Sequence, residues 1–281
     1  MDYKKKDLLT YSSANDFLCS VAPKEVNEKV ISRYLNAPNR IKKNAKLNEF
    51  FKRFISSAQN ANMKRRVIGG AIGGIDHLSP VLLGFNPKAV NKKYGMDNRK
   101  LLKDIQTKLK PTGKIRKSSR SLWPQYCHTA LSVAKFLSQF DDGKRFTNWL
   151  NVFYRDELTL PALPLILAEE IHGIGFALAC DFLKELGYIK YGKPDVQVNR
   201  IFKSLGLVEL PASDYSVLKA INRLAKNAGV TSYDVDKLFW LIGSGDFYLD
   251  RASIGKNGKI GSNGEKFIKH MKAKYKTLRA D

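Results

Sequence analysis

Ile171-His172-Gly173-Ile174-Gly175 lies between an apolar run begun near Pro164 and a helical pattern from Phe176 to Leu186. Two glycines two positions apart permit a tight turn with exposed amides. Where such a turn opens a helix, the first N–H groups and the positive end of the helix dipole can hold a phosphate without reading any base. The same spacing also suits an ordinary connection between helices, so the residues that follow matter. The pattern stops at Gly187, and a short link leads into Lys193-Pro194-Asp195-Val196-Gln197-Val198-Asn199-Arg200. Pro-Asp before an apolar period is a helix start, with Asp195 placed to accept first-turn N–H groups.

Outward from this segment the helical period persists. Leu47, Phe50, Phe51, Phe54 and Ala58 share one face, as do Tyr126, Ala130, Val133, Ala134 and Leu137, and Val217, Leu218, Ile221, Leu224 and Ala225. Two-residue alternation is nearly absent. The class read from this is all-α, with eight to ten helices and loops at the Pro and Gly clusters. Gly69-Gly70-Ala71-Ile72-Gly73-Gly74 interrupts the period and reads as tight helix packing, while residues 253–263 read as a flexible link before a short basic helix carrying Phe267, Ile268, Met271 and Tyr275.

Of 281 residues, 43% are hydrophobic, enough for a core, and 49 Lys and Arg stand against 26 Asp and Glu, a net charge of +23. The longest apolar run, Leu160 to Ala168, is broken twice by Pro and falls far short of the ~20 residues of a bilayer span. No membrane association is expected. The start, MDYKKKDLLTYSS, lacks the apolar core of a secretory signal, so the chain is expected in the cytoplasm, with the nucleoid. Cys19, Cys127 and Cys180 are far apart and read as reduced, mostly buried side chains. His77, His128, His172 and His270 have no metal-ligand spacing. Neither a metal nor another cofactor is expected.

The positive charge is clustered. Residues 40–66 hold nine Lys/Arg and one acid, residues 88–120 twelve and two, and residues 251–281 nine and two, whereas the acids outnumber the bases over 141–185. Such asymmetry gives a folded protein one strongly positive face, and nucleic acid is the polyanion it most simply fits. The plainer reading of a Lys-rich chain is solubility alone.

IHGIGFA followed by PDVQVNR resembles the helix-hairpin-helix DNA glycosylases, the superfamily of endonuclease III and the adenine glycosylases, in a divergent form. The hairpin there is followed by a helix, a link and an Asp-containing helix start, and the 18 positions from Ala177 to Asp195 agree with that spacing. The resemblance implies a two-lobed all-α fold with a DNA groove between the lobes, and Asp195 as the catalytic carboxylate. It places Gly173, Gly175, His172, Ala177 and Arg200 on the DNA. Phe54-Ile55-Ser56-Ser57-Ala58-Gln59 is similar to the segment whose glutamine fills the space of a displaced base, which makes Gln59 the candidate wedge, with Arg65 and Arg66 beside it for phosphate neutralisation.

One lobe is expected over residues 47–192, with wedge and hairpin, and a second over 1–46 and 193–281. Candidate walls for a base pocket are Trp123, Tyr126, His128, Trp149 and Trp240, all of which fit a helical core equally well. The chain departs from the family at Ala177, where bifunctional members carry lysine, and it lacks the C-terminal cysteines of an iron–sulfur cluster. Without that amine no Schiff base forms by the usual route. The function implied is a monomeric, monofunctional DNA glycosylase acting on double-stranded DNA. The divergence makes an unusual base, such as a phage-modified cytosine, a candidate substrate, and with it attack on foreign DNA. A non-catalytic helix-hairpin-helix DNA-binding protein is the alternative.

Overall fold

The computed structural model describes residues 2–40, 44–59 and 67–280, and these form fourteen α-helices and one short 3-10 helix. In chain order they are α1 (Tyr3–Val21), α2 (Glu28–Leu35), α3 (Leu47–Ala58), α4 (Val67–Ala71), α5 (Pro87–Tyr94), α6 (Asn98–Leu109) and α7 (Leu122–Leu137). There follow α8 (Gly143–Arg155), α9 (Ala162–Glu170), α10 (Phe176–Glu185), α11 (Val196–Ser204), α12 (Asp214–Ala228), α13 (Ser232–Ser244) and α14 (Gly264–Ala280). The 3-10 turn, Ile75–Leu78, follows α4. Among the described residues, strand pairing is limited to isolated bridges from Asp246 and Lys256 to Lys259. The protein is all-α. Helices beyond the expected eight to ten are short, α4 having 5 residues and α2 and α5 having 8 each, so too few apolar repeats fall in them for a period to register. No helix among the described residues is long and apolar enough to cross a membrane.

The chain divides into two compact units, residues 1–40 with 183–281, and residues 41–182. The division falls inside α10, ahead of the 192/193 boundary read from sequence. Residues 183–192 group with the first unit for a physical reason: Lys184 pairs with Asp236 on α13, and the Arg40 guanidinium lies 4.5 Å over the Tyr188 ring.

In the unit 41–182, α7 is the central helix, packed by α3, α5 and α6, and it buries Tyr126, Cys127, Ala130, Leu131, Val133, Ala134 and Leu137. Phe50, Phe136, Phe140 and Trp149 surround Phe146 with ring centroids 4.8 to 6.3 Å away. The glycine-rich stretch is part helix and part turn: Gly69 and Gly70 lie in α4, which ends at Ala71, and Gly73 and Gly74 take φ of 76° and 129°, values open to glycine at little cost.

In the other unit α13 is central, packed by α1, α2, α11, α12 and α14. Its core joins Ala14, Phe17 and Leu18 of α1 to Ile221 and Leu224 of α12, Phe239 and Ile242 of α13, and Phe267 and Met271 of α14. The N-terminal segment therefore closes a core. Asp7 on α1 is fully buried and accepts from Arg223 Nε at 2.9 Å and Asn227 Nδ2 at 2.8 Å. The tail supplies α14, with Phe267, Ile268, Met271 and Tyr275 buried.

Candidate functional site

Helix α9 ends where Ile171 N–H donates to Leu167 O at 3.1 Å, and the chain turns as Ile174 N–H donates to Ile171 O at 3.1 Å. Buried Ile171 and Ile174 anchor this turn, and His172, Gly173 and Gly175 face solvent. The His172 N–H is held by Ser132 Oγ of α7 at 2.9 Å. Gly173 is required twice over: its φ is 80°, and a Cβ there would collide with Thr129 Oγ1. A Cβ on Gly175 would meet nothing within 4 Å. The Gly175 carbonyl accepts from Ala179 N–H at 3.0 Å, so α10 starts from a residue with no side chain to cap its first turn. Helix N-termini of this kind present N–H groups and the positive dipole end outward.

The imidazoles of His172 and His128 stack with centroids 4.0 Å apart and planes 24° apart. Burial, and then the His172 ring, hold the His128 pKa below its ordinary value. His128, a candidate pocket wall by sequence, thus belongs to the footing of the hairpin.

Asp195 caps α11. Its Oδ1 accepts from Gln197 N–H at 2.9 Å and Val198 N–H at 3.0 Å, while Oδ2 takes no hydrogen bond among the described residues. Asn199 Nδ2 fastens the same turn to Pro194 O at 2.6 Å and to Asp214 of α12 at 2.9 Å. Burial raises the Asp195 pKa above the ordinary carboxylate value, and nearby Asp236 raises it further, while the Val198 N–H, Lys193 and Lys184 oppose the rise. A half-buried carboxylate with one oxygen committed to backbone and the other unbonded can accept a proton or stabilise a nearby positive charge.

The other described residues singled out by sequence lie at the end of α3, in the first turn of α10 and on α11. Gln59 caps the end of α3, and its Oε1 is buried without a hydrogen-bond partner among the described residues; a Cβ on Gly69 would stand 2.9 Å from it. Arg65 and Arg66 lie outside the described residues. Arg200 braces α11 to α14: Nη2 donates to Gln197 Oε1 at 2.9 Å, and Nη1 lies 3.3 Å from Glu265. Ala177 is in the first turn of α10, half-buried and without an amine.

The aromatics offered as pocket walls are packed in cores. Trp123 and Tyr126 are buried, Tyr126 OH donating to Ile55 O at 3.3 Å; Trp149 packs on Phe136, Phe140, Phe146 and Phe153; Trp240 packs on Tyr248 at 5.8 Å. Large flat side chains bury more apolar area than any others, which is why the core took them. A cleft of about 840 Å³ lies elsewhere in the unit 41–182, at the starts of α3, α5 and α8, and is lined by neither hairpin nor Gln59. What sequence reading missed is Asp236, a carboxylate on the apolar helix α13 that is paired with Lys184 in the core. Only its position among Val235, Leu238 and Phe239 signals it.

No protein-family model matches the chain, and no curated protein matches it in sequence. Among solved structures, that of Methanocaldococcus jannaschii 8-oxoguanine glycosylase/lyase in complex with a 15mer DNA containing 8-oxoguanine is similar, with 14% sequence identity over 87% of this chain and 98% of that one, at a TM-score of 0.47. A likeness of that degree assigns no role to any residue here.

Proposed function

We propose that this protein is a monofunctional DNA glycosylase that hydrolyses the N-glycosidic bond of a displaced base and leaves an abasic site. The observation that carries the reading is Asp195: a carboxylate at a helix start, half-buried, capping through one oxygen and, among the described residues, unbonded at the other. It follows a glycine turn by one helix and a link, the order found in helix-hairpin-helix glycosylases. The net charge of +23 suits a polyanionic partner.

The chemistry follows from the chain's own groups. Gly173 and Gly175 let a DNA phosphate approach the amides that open α10. The target nucleotide must leave the stack, at a cost of a few kcal/mol. As the bond to the base lengthens, positive charge develops on the sugar, and Asp195 stabilises it. A water oxygen then bonds the anomeric carbon while Asp195 Oδ2 takes the water's proton, and the base departs with the electron pair of the broken bond. A raised pKa suits this proton acceptance. With Ala177 in the place of the usual lysine, no strand cleavage is expected from that position. The protein would act as a monomer in the nucleoid. A damaged base in its own DNA and a modified cytosine in foreign DNA are the substrate classes to separate.

The test is base release from a panel of duplexes, including phage DNA with modified bases, by the parent and by Asp195→Asn, followed by alkali. Alkali-dependent breaks with the parent alone support the reading and name the base. Binding of every duplex with no breaks from either protein would replace it with the non-catalytic DNA-binding alternative.

A further inference from the structure

The link that delivers Asp195 is pinned to α13. A Cβ on Gly192 would stand 2.8 Å from Ser232 O and 2.7 Å from Ile221 Cγ2, so the chain passes as close as glycine permits. The next N–H, that of Lys193, donates to Asp236 Oδ2 at 3.0 Å, and the same oxygen takes Lys184 Nζ. Two residues on, Asp195 N–H donates to Lys193 O at 2.9 Å, which closes the turn from which the carboxylate projects. The Lys184 and Asp236 side chains are 4% and 1% exposed.

Stability alone gives a weak account of such a pair. Removing two ions from water costs several kcal/mol each, and apolar side chains of similar volume often serve a core as well or better. What apolar side chains cannot do is accept the Lys193 N–H. We propose that Asp236, paired with Lys184, is a positioning residue for Asp195: it anchors the Lys193 amide and so fixes the backbone that aims the carboxylate. This rests on reading Asp195 as the catalytic group.

The electrostatics agree with the geometry. The charged groups acting on Asp195 are Asp236 from α13, Lys193 from the link and Lys184 from α10, and of the three Asp236 weighs most. Glu185 and Lys237, 3.9 Å apart, flank the pair, and the Tyr233 pKa is raised by burial and by Glu185. Neutralising Asp236 and Lys184 together therefore lowers the Asp195 pKa, because the larger of the two opposing influences is lost.

Two double variants test this while leaving no lone buried charge. Lys184→Met with Asp236→Asn keeps an oxygen for the Lys193 N–H, whereas Lys184→Met with Asp236→Leu removes it. The expected result is a kcat about tenfold lower for the Leu variant with KM little changed, and a kcat within about threefold of the parent for the Asn variant. Carbon-13 titration of the Asp195 carboxyl, assigned with Asp195→Asn, should move to lower pH in both. Equal kcat for the two variants, or an Asp195 titration unmoved from the parent, would overturn the proposal. The titration needs no turnover: if Asp195→Asn releases bases as the parent does, the catalytic reading fails, and the carboxyl shift still judges whether Asp236 governs Asp195.

Discussion

Because Asp195 caps α11 through Oδ1 alone, substitution by Asn separates its structural role from its chemistry. Asn is as good an N-cap as Asp. The sign of the linkage adds to this. A carboxyl whose pKa is raised in the fold favours folding below its ordinary value of 3.8 and loses that contribution as pH rises through the folded pKa. At pH 7 the ionised form is a cost to the fold, and Asp195→Asn removes it. Calorimetry should give an unfolding temperature for Asp195→Asn equal to or above the parent's, while base release falls on the order of 100-fold or more. For the parent, the rate should fall on the acid side at a pH above 3.8, since only the ionised carboxylate accepts a proton. A cap lost with the substitution, seen as a lower unfolding temperature, would mean that the two roles do not separate.

At the scale of the element, the two hairpin glycines make different predictions. Gly173→Ala meets both a positive φ and Thr129 Oγ1, and should destabilise by at least about 1 kcal/mol in denaturant titration. Gly175→Ala projects into open space and should lower the unfolding midpoint less than Gly173→Ala, by only the cost of Ala in place of Gly at a helix start. If the amides that open α10 hold a phosphate, the same methyl weakens DNA binding, an effect read by fluorescence anisotropy. The stacked imidazoles add a pH dependence. His128 is held below its ordinary pKa, so its contribution to stability is complete above pH 6.5 and is lost as pH falls below it, where the unfolded chain takes up the proton more readily. Denaturant titrations at pH 7.5 and pH 5.5 should show a smaller loss for His128→Gln than for the parent.

At the scale of the whole molecule, a charge of +23 implies binding dominated by release of counterions from the nucleic acid. If six or more phosphates are neutralised, affinity for duplex DNA should fall by about 10³ or more between 50 and 200 mM salt. A flat salt dependence would leave solubility as the reason for the lysines. The same scale shows how much of the protein is legible along the chain. The all-helical class could be read because a helix repeats its apolar face within a few residues, as at Leu47, Phe50, Phe51 and Phe54. The hairpin could be read because Gly173 and Gly175 announce a turn, and the Asp195 cap because its partners are the N–H groups of Gln197 and Val198, two and three residues on.

Partners distant in sequence left no such mark. Gln59 and Arg200 stand out by their place in short motifs, but the close approach of Gly69 to Gln59 and the pairing of Arg200 with Glu265 come from other helices and leave no mark in those motifs. Trp123 and Tyr126 were equally fit for a pocket or a core, and packing put them in the core. The pairing of Lys184 with Asp236 spans 52 residues and follows no local rule. The sequence by itself therefore determined the all-helical class, the turn at Gly173 and Gly175, and which carboxylate begins a helix after the hairpin, since those properties depend on neighbours along the chain. Tertiary structure alone decided which polar side chains are consumed as braces and which carboxylate anchors the link to Asp195. Those outcomes depend on burial, where an unpaired charge or amide is costly enough to select its partner from anywhere in the unit.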